Sequence, residues 1–494
     1  MTGDEILDAM EHIDPDLIEA ADVPIQKRRK PYWVAAVAAV LAIAVTVGIF
    51  GKPLVQGNNP AVIPTLSGIQ SPGNLQLANL VAAPEYPEMA QRPNRKDYSG
   101  NWDAYYAANQ TWRFSQHQQY DQPDGYADSL TNFFYASMAE FLQGEDNPTY
   151  SPLNVYMAMA MLAETTDGNS RQQILDLFGL STIEQLREQA AYVWNAHYSN
   201  DGQTTLLMAN SVWLDDFYTF HQNTTDLLAD HYFASSFHGD LGTDDMNKQL
   251  QTWLDAGTGG LLKDQAQNVE LSPDAVFALV STIYFTASWN NEFSTSKTED
   301  DIFHCANKNL IIPFMNQTFR EYTYYRGENF SAIQLGLSGS NKMWLILPDK
   351  WHTVAEILES DDYLRMTLAP DSWENQKEYK INLSMPKFDV VSQCDLIEGM
   401  KNLGVTDIFD SEISDFTPMT DIPYLYVSQI NHAARVAVDE EGCVAAAFTV
   451  IETYKDGGMA DDLKEINFVL DRPFLFIVSS RDNLPLFTGI INEP

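Results

Sequence analysis

Cysteine is scarce in this chain: Cys305, Cys394 and Cys443 are the only three among 494 residues. Three scattered thiols exclude a disulfide framework and cannot complete a cysteine-rich zinc site. Positive charge is scarce as well. Lys and Arg number 29 against 68 Asp and Glu, a formal net charge of −39. Such a field is incompatible with a partner bound through phosphate neutralisation, so no nucleic-acid partner is expected. The acidic excess reads as a solvated, self-repelling surface of a chain expected to stay monomeric. Catalytic motifs are also missing. No His-Glu-x-x-His, Gly-x-Ser-x-Gly, phosphate-cradling glycine loop or Cys-x-x-Cys occurs, so neither an enzyme nor a cofactor or metal site is expected.

What is present is apolar. Hydrophobic residues make up 45% of the chain, enough for a large core, and length alone allows two or three domains. Leu130, Phe133, Phe134, Met138 and Phe141 recur at helical spacing. Ser151-Pro152 supplies an N-cap and a first-turn proline for a helix carrying Val155, Met159 and Leu162, and Ser170 with Gln173 has the spacing of a capping box. Later runs, Met343 to Leu347 closed by Pro348-Asp349 and Phe474 to Val478, are short, apolar and bounded by turn signals, as in buried strands. Helices early and strands late point to an α+β fold rather than alternating units.

The N-terminal region is separate. Tyr32 to Phe50 carries no charge, Lys27-Arg28-Arg29-Lys30 precedes it and Lys52 follows. That length spans a bilayer as a helix, and the basic cluster puts residues 1–30 in the cytoplasm and the rest outside. Two readings stand, a cleaved signal peptide giving a secreted protein and a retained single-pass anchor over residues 31–50. The long apolar core and the absence of a small-x-small site favour the anchor. Residues 51–93, rich in Pro, Gly, Asn and Gln, read as a flexible tether. Residues 94–127 form an aromatic arm with Tyr98, Trp102, Tyr105, Tyr106, Trp112, Phe114 and Tyr120, expected to pack on the body that follows.

The stretch Val438-Asp-Glu-Glu-Gly-Cys-Val-Ala-Ala-Ala-Phe-Thr449 runs from a strand through two acids and a glycine into very small residues. Gly442 offers a hinge, and Cys443, Ala445, Ala447 and Thr449 alternate on one face of an extended chain, with Phe448 on the other. A loop built that way can slide between two strands. Upstream lies Leu425-Tyr-Val-Ser-Gln-Ile-Asn-His-Ala433, and downstream come Arg472-Pro473-Phe474 and Leu486-Phe-Thr-Gly-Ile-Ile-Asn-Glu-Pro494. Earlier come Asn147-Pro148 with Ser151-Pro152-Leu153, Gly168 to Leu175, Ala209 to Leu214, Ile283-Tyr284-Phe285 with Trp289, and Met385-Pro386-Lys387-Phe388. In order and spacing this set resembles the serpin family over residues 128–494.

The resemblance implies an α+β serpin fold with a large central β-sheet, further sheets, an early set of helices and an exposed reactive loop. It implies suicide inhibition of an extracellular serine or cysteine protease, in which the cleaved loop inserts into the main sheet as an added strand. The hinge is then Glu440, Glu441, Gly442, Cys443, Ala445, Ala446, Ala447 and Thr449. Counting from Gly442 as in the family gives Asp456-Gly457 as the attacked bond. Bonds at Tyr454-Lys455, Lys455-Asp456 and Met459-Ala460 stay open, because the stretch to Pro473 is longer than in most members. The same likeness assigns Ser151, Asn154, Ser281, His432 and Trp289 to a cluster where the sheet opens. There the family's usual Ser and Asn stand exchanged at Asn154 and Ser281. His432 by itself, in an apolar strand without a flanking acid or nucleophile, reads as a core histidine. The alternative from another class is a non-inhibitory serpin-fold binding or structural protein at the cell surface. The small inward face of the hinge favours the inhibitor.

Overall fold

The computed structural model describes residues 25–27, 38–48, 77, 79–87, 89–98, 100–144, 146–202, 204–258, 269–442 and 463–494, with 25–27, 38–48 and 117–119 described through their backbone alone. The helical part comes first. Helices α1 (Trp102–Tyr120), α2 (Thr131–Phe141), α3 (Pro152–Thr165), α4 (Gly168–Leu177), α5 (Ile183–His197), α6 (Gln222–Tyr232) and α7 (Asp244–Gly257) precede most of the strands. Their starts follow local chemistry. Ser151 caps α3 by accepting from the Asn154 amide at 3.1 Å, with Pro152 in the first turn where no N–H partner is needed. The capping box expected at Ser170 and Gln173 does not form. Helix α4 starts at Gly168, the Ser170 hydroxyl accepts from the Asp415 amide at 3.1 Å, and Gln173 donates to Asp407 at 2.7 Å. Both side chains serve long-range contacts that local spacing cannot register.

Two sheets carry the strands, numbered here in chain order. The first holds β2 (Ala38–Gly48), β3 (Leu80–Ala82), β5 (Ser199–Asn200), β6 (Thr205–Asp215), β7 (Ala234–Gly239), β8 (Ala275–Thr286), β14 (Phe388–Asp395) and β15 (Tyr426–Val438), in the order β14-β15-β2-β8-β6-β7-β3 with β5 on β6. The second holds β1 (Ile25–Lys27), β4 (Thr149–Tyr150), β9 (Glu299–His304), β10 (Asn309–Arg326), β11 (Phe330–Gly336), β12 (Lys342–Pro348), β13 (Gln376–Pro386), β16 (Glu465–Val469), β17 (Phe474–Ser479) and β18 (Pro485–Ile491). Helix α3, buried at every residue, packs against β8 of the first sheet and β18 of the second. The opposite face of the first sheet is covered by α7, where Trp253 and Leu250 join Trp213, Ala278 and Val280 in a second core. This double cover explains why β8 is buried along its whole length.

The structure departs from two expectations for the N-terminal part. Residues 38–48 form a central strand, not part of a helix over Tyr32–Phe50, and among the described residues no helix is long and apolar enough to cross a membrane. Val40, Ile43, Val45, Thr46 and Val47 are β-branched and suit a pleated strand. An uncharged segment satisfies its backbone as well from two neighbouring strands as from a helix. Part of the stretch expected as a tether to residue 93 is held to the body. Strand β3 pairs with β7 at the sheet edge, and the Tyr86 ring lies 5.1 Å from Trp194 and 5.3 Å from Tyr198. Edge pairing and aromatic burial hold this stretch to the body. The aromatic arm behaves in two ways. Tyr105 and Tyr120 are buried and the Arg481 guanidinium lies 3.4 Å from the Tyr120 ring centre, whereas Trp102, Tyr106 and Phe114 are exposed.

Candidate functional site

The fully buried group between α3 and the first sheet joins four of the residues assigned to sheet opening. Capping α3 brings the Ser151 amide to His432, whose Nε2 accepts at 3.3 Å. The ring is therefore the neutral tautomer with Nε2 unprotonated, and burial holds its pKa down to about 3. One turn into α3, Asn154 Oδ1 accepts from the Ser281 hydroxyl at 2.6 Å, and Asn154 Nδ2 donates to the Ser281 carbonyl at 3.3 Å. The exchanged Ser and Asn thus meet as donor and acceptor across the same gap, a complete pair in a water-free place. Ser281 belongs to β8 and His432 to β15, and Ile43 of β2 stands opposite both.

Trp289 is not part of this group. It lies beyond the end of β8, where its Nε1 donates to the Asp439 carbonyl at 2.8 Å and its ring meets Phe293 at 5.9 Å. The side chain therefore contacts the start of the expected hinge, because the chain turns out of the sheet after Thr286.

Further residues hold the segment expected as the hinge, and Lys387 is the main one. Glu440 is buried, and although burial pushes its carboxyl up, Lys387 Nζ at 2.5 Å and the Thr298 hydroxyl at 2.7 Å hold it below the usual range. Its carbonyl accepts from the Phe293 amide at 2.9 Å, and the Glu441 carbonyl accepts from the Trp289 amide at 3.3 Å. Asp439 lies deeper. Burial pushes its carboxyl up to about 7, against the Glu441 amide that donates to it at 2.9 Å. Lys387 sits inside the motif Met385-Pro386-Lys387-Phe388, so its presence was legible. Its partner was not, since 53 residues separate it from Glu440. Thr298 and Asp439 carry no signal of their own.

Gly442 is the last described residue of the expected hinge. It has φ +98°, and a Cβ there would stand 2.4 Å from the Trp289 nitrogen, so only glycine fits. Gly442 pairs antiparallel with Ser288, two residues past the end of β8. Gly442 thus stands at the mouth of the interval between β15 and β8. Cys443, Ala445, Ala446, Ala447 and Thr449 of the expected hinge, and Tyr454, Lys455, Asp456, Gly457 and Met459 of the expected reactive bond, lie outside the described residues.

Chemically this arrangement aligns backbone and holds buried polar groups. Among the described residues no three His, Cys, Asp or Glu side chains converge where a metal ion could sit. The model of the family described as serpin (serine protease inhibitor) matches residues 128–494. A plant relative, Serpin-ZX of Arabidopsis thaliana, is 28% identical over 371 residues, covering 70% of this chain and 92% of its own. The structure of Arabidopsis AtSerpin1 in its native stressed conformation superposes with a TM-score of 0.64 at 25% identity, covering 76% of this chain and all of that one. The thermophilic serpin tengpin in its native state gives a TM-score of 0.65 at 24% identity over 76% of this chain and 95% of its own.

Proposed function

The chain belongs to the serpin family, and from that premise we propose that it is a conformational-trapping inhibitor of an extracellular serine or cysteine protease. The observation that carries the reading is the Gly442↔Ser288 bridge, which starts the loop at the mouth of the interval between β15 and β8. Continued one rung per residue, that register sends the small residues Ala445, Ala447 and Thr449 down the interval beside the Ser281–His432 level. A protease attacking the loop would form an acyl-enzyme, and insertion of the freed strand would carry it across the molecule before deacylation. The test is a panel of serine and cysteine proteases read on a denaturing gel. A covalent band near the sum of both masses is expected with the target. Loop cleavage without such a band by every protease, also when β2 is removed from the interval between β15 and β8, overturns the reading.

A second reading has its own observation: β2 already lies between β15 and β8. A protein whose interval stays filled is a non-inhibitory serpin-fold binding or structural protein.

We also assign the serpin domain to the outer side of a membrane. The uncharged stretch 32–50 behind Lys27-Arg28-Arg29-Lys30 supports this, and its residues 38–48 would have to leave the sheet to enter a bilayer. Protease shaving of intact cells is expected to release the domain, and recovery of the full chain in the soluble cytoplasmic fraction would rule the assignment out.

A further inference from the structure

We propose that residues 38–48 are the resident occupant of the slot the reactive loop must enter, so that the protein holds its own insertion site closed and traps a protease only when this strand is withdrawn. The inference rests on reading the chain as a trapping inhibitor. Strand β2 pairs antiparallel with β15 from Gly48↔Tyr426 to Ala39↔Val436, and antiparallel with β8 from Ala38↔Thr286 to Gly48↔Ala275. The loop would need the same rungs. From the Gly442↔Ser288 bridge, antiparallel register places residue 444 opposite Thr286 and residue 449 opposite Ser281, the positions that Ala38 and Ile43 hold. Direction agrees too, since β2 runs toward Ala275 and the inserted loop would run the same way. Neighbouring strands lie about 4.8 Å apart, so one interval takes one strand.

The segment suits the place. Residues 38–48 contain no charge and no proline, either of which opposes a central strand. The connection reaches. About thirty residues separate Gly48 from Leu80 and can extend to roughly 100 Å, whereas β2 and β3 stand only a few strand spacings of roughly 4.8 Å apart, across β8, β6 and β7.

With the slot filled, a cleaved loop cannot insert. Water then adds to the acyl carbonyl carbon, the ester or thioester bond to the protease nucleophile breaks, and the products are a loop carboxylate and free, active protease. The protein behaves as a substrate. A bilayer crossing by residues 32–50 is the other place for this stretch, and it leaves the slot open. Sheet and bilayer therefore compete for one piece of chain, and the membrane-held form is the inhibitory one.

The test compares the full-length parent with the Ala42→Pro/Ala44→Pro variant, each incubated with trypsin, chymotrypsin and subtilisin and run on a denaturing gel. Two missing N–H donors in a central strand remove ladder bonds and expel it. The parent is expected to be cut with a trace of covalent complex, and the variant to give at least tenfold more complex per cleavage. Equal partitioning in both overturns the proposal. If neither gives a complex, the inhibitory reading fails. In that case, or if the proline variant does not fold, the plug is decided by oxidising full-length Ala42→Cys/Ala433→Cys protein. These two positions stand opposite in the β2–β15 ladder, within the Cα range of a disulfide. A linked 42–433 peptide in the mass spectrum is expected. Its absence after both thiols have been oxidised overturns the plug, whatever the gels give.

Discussion

The Ser281 hydroxyl donates to Asn154 Oδ1 at 2.6 Å while Asn154 Nδ2 reaches back to the Ser281 carbonyl at 3.3 Å. This reciprocal pair ties helix α3 to β8 at the level of His432, so it couples the helix to the strand that borders the slot. Each group is sealed from water, and neither can find a substitute partner if the other is removed.

Asn154→Ala and Ser281→Ala are each expected to cost about 1–3 kcal/mol, the penalty of a buried polar group left unpaired. The double exchange Asn154→Ser/Ser281→Asn restores the same donors and acceptors from opposite sides. It should cost less than the two alanine effects combined. Urea unfolding of the four proteins checks this, and simple additivity would show that the two residues do not act as a pair.

Gly442→Ala places a methyl group against the Trp289 nitrogen in a left-handed backbone region. A loss of about 1–3 kcal/mol in folding stability is expected from the strained residue, together with faster proteolysis of the loop as the hinge detaches from Ser288. Thermal unfolding and a limited-proteolysis time course measure the two effects separately.

Lys387→Met should loosen the hinge by a different route. Glu440 loses its ammonium partner while staying buried, and a cost of roughly 1–3 kcal/mol follows from an unmatched polar group. Adding Glu440→Gln to the same protein should recover part of it. A double variant weaker than Lys387→Met alone contradicts this pairing.

Two buried groups set the pH dependence and oppose each other. Asp439 has its pKa raised from 3.8 to about 7, so its contribution is fully present below pH 3.8 and is lost as pH rises through 7. His432 has its pKa lowered from 6.5 to about 3, so its contribution is present above pH 6.5 and is lost as pH falls toward 3. Between these limits the parent's profile should be shallow. Asp439→Asn removes one arm, and that variant should exceed the parent in stability at pH 8 yet lose stability more steeply from pH 6.5 to pH 4. Urea midpoints across this range provide the measurement.

In the Ala42→Pro/Ala44→Pro background, Thr449→Arg is expected to abolish covalent trapping while loop cleavage continues. Extended from the Gly442–Ser288 bridge, the register would place residue 449 opposite Ser281, where an unpaired guanidinium would be buried only after insertion. Cleavage of the loop should also raise the unfolding midpoint of the double proline protein by about 10 °C or more, through burial of an added strand, and leave that of the parent unchanged. Trapping that survives the arginine would remove the insertion mechanism.

Local chemistry made much of this molecule legible. The cap at Ser151 with Pro152, the helical stripe from Leu130 to Phe141, the apolar runs at Met343 and Phe474 and the glycine at 442 each depend on a few neighbouring residues, and each forms where the sequence placed it. Long-range pairing was not legible. Ser170 and Gln173 have capping spacing but bond to Asp415 and Asp407, Trp289 belongs to Asp439 rather than to His432, and Lys387 finds Glu440 across 53 residues.

Residues 38–48 mark the division most plainly. The sequence alone determined that this stretch is uncharged, β-branched and obliged to satisfy its backbone away from water, conditions that a membrane helix and a buried strand meet equally. Only the tertiary structure showed that two strand edges, β8 and β15, stand ready to pair with it on both sides. Periodicity reports the face a segment offers. Which partner takes that face depends on edges that other parts of the chain bring together.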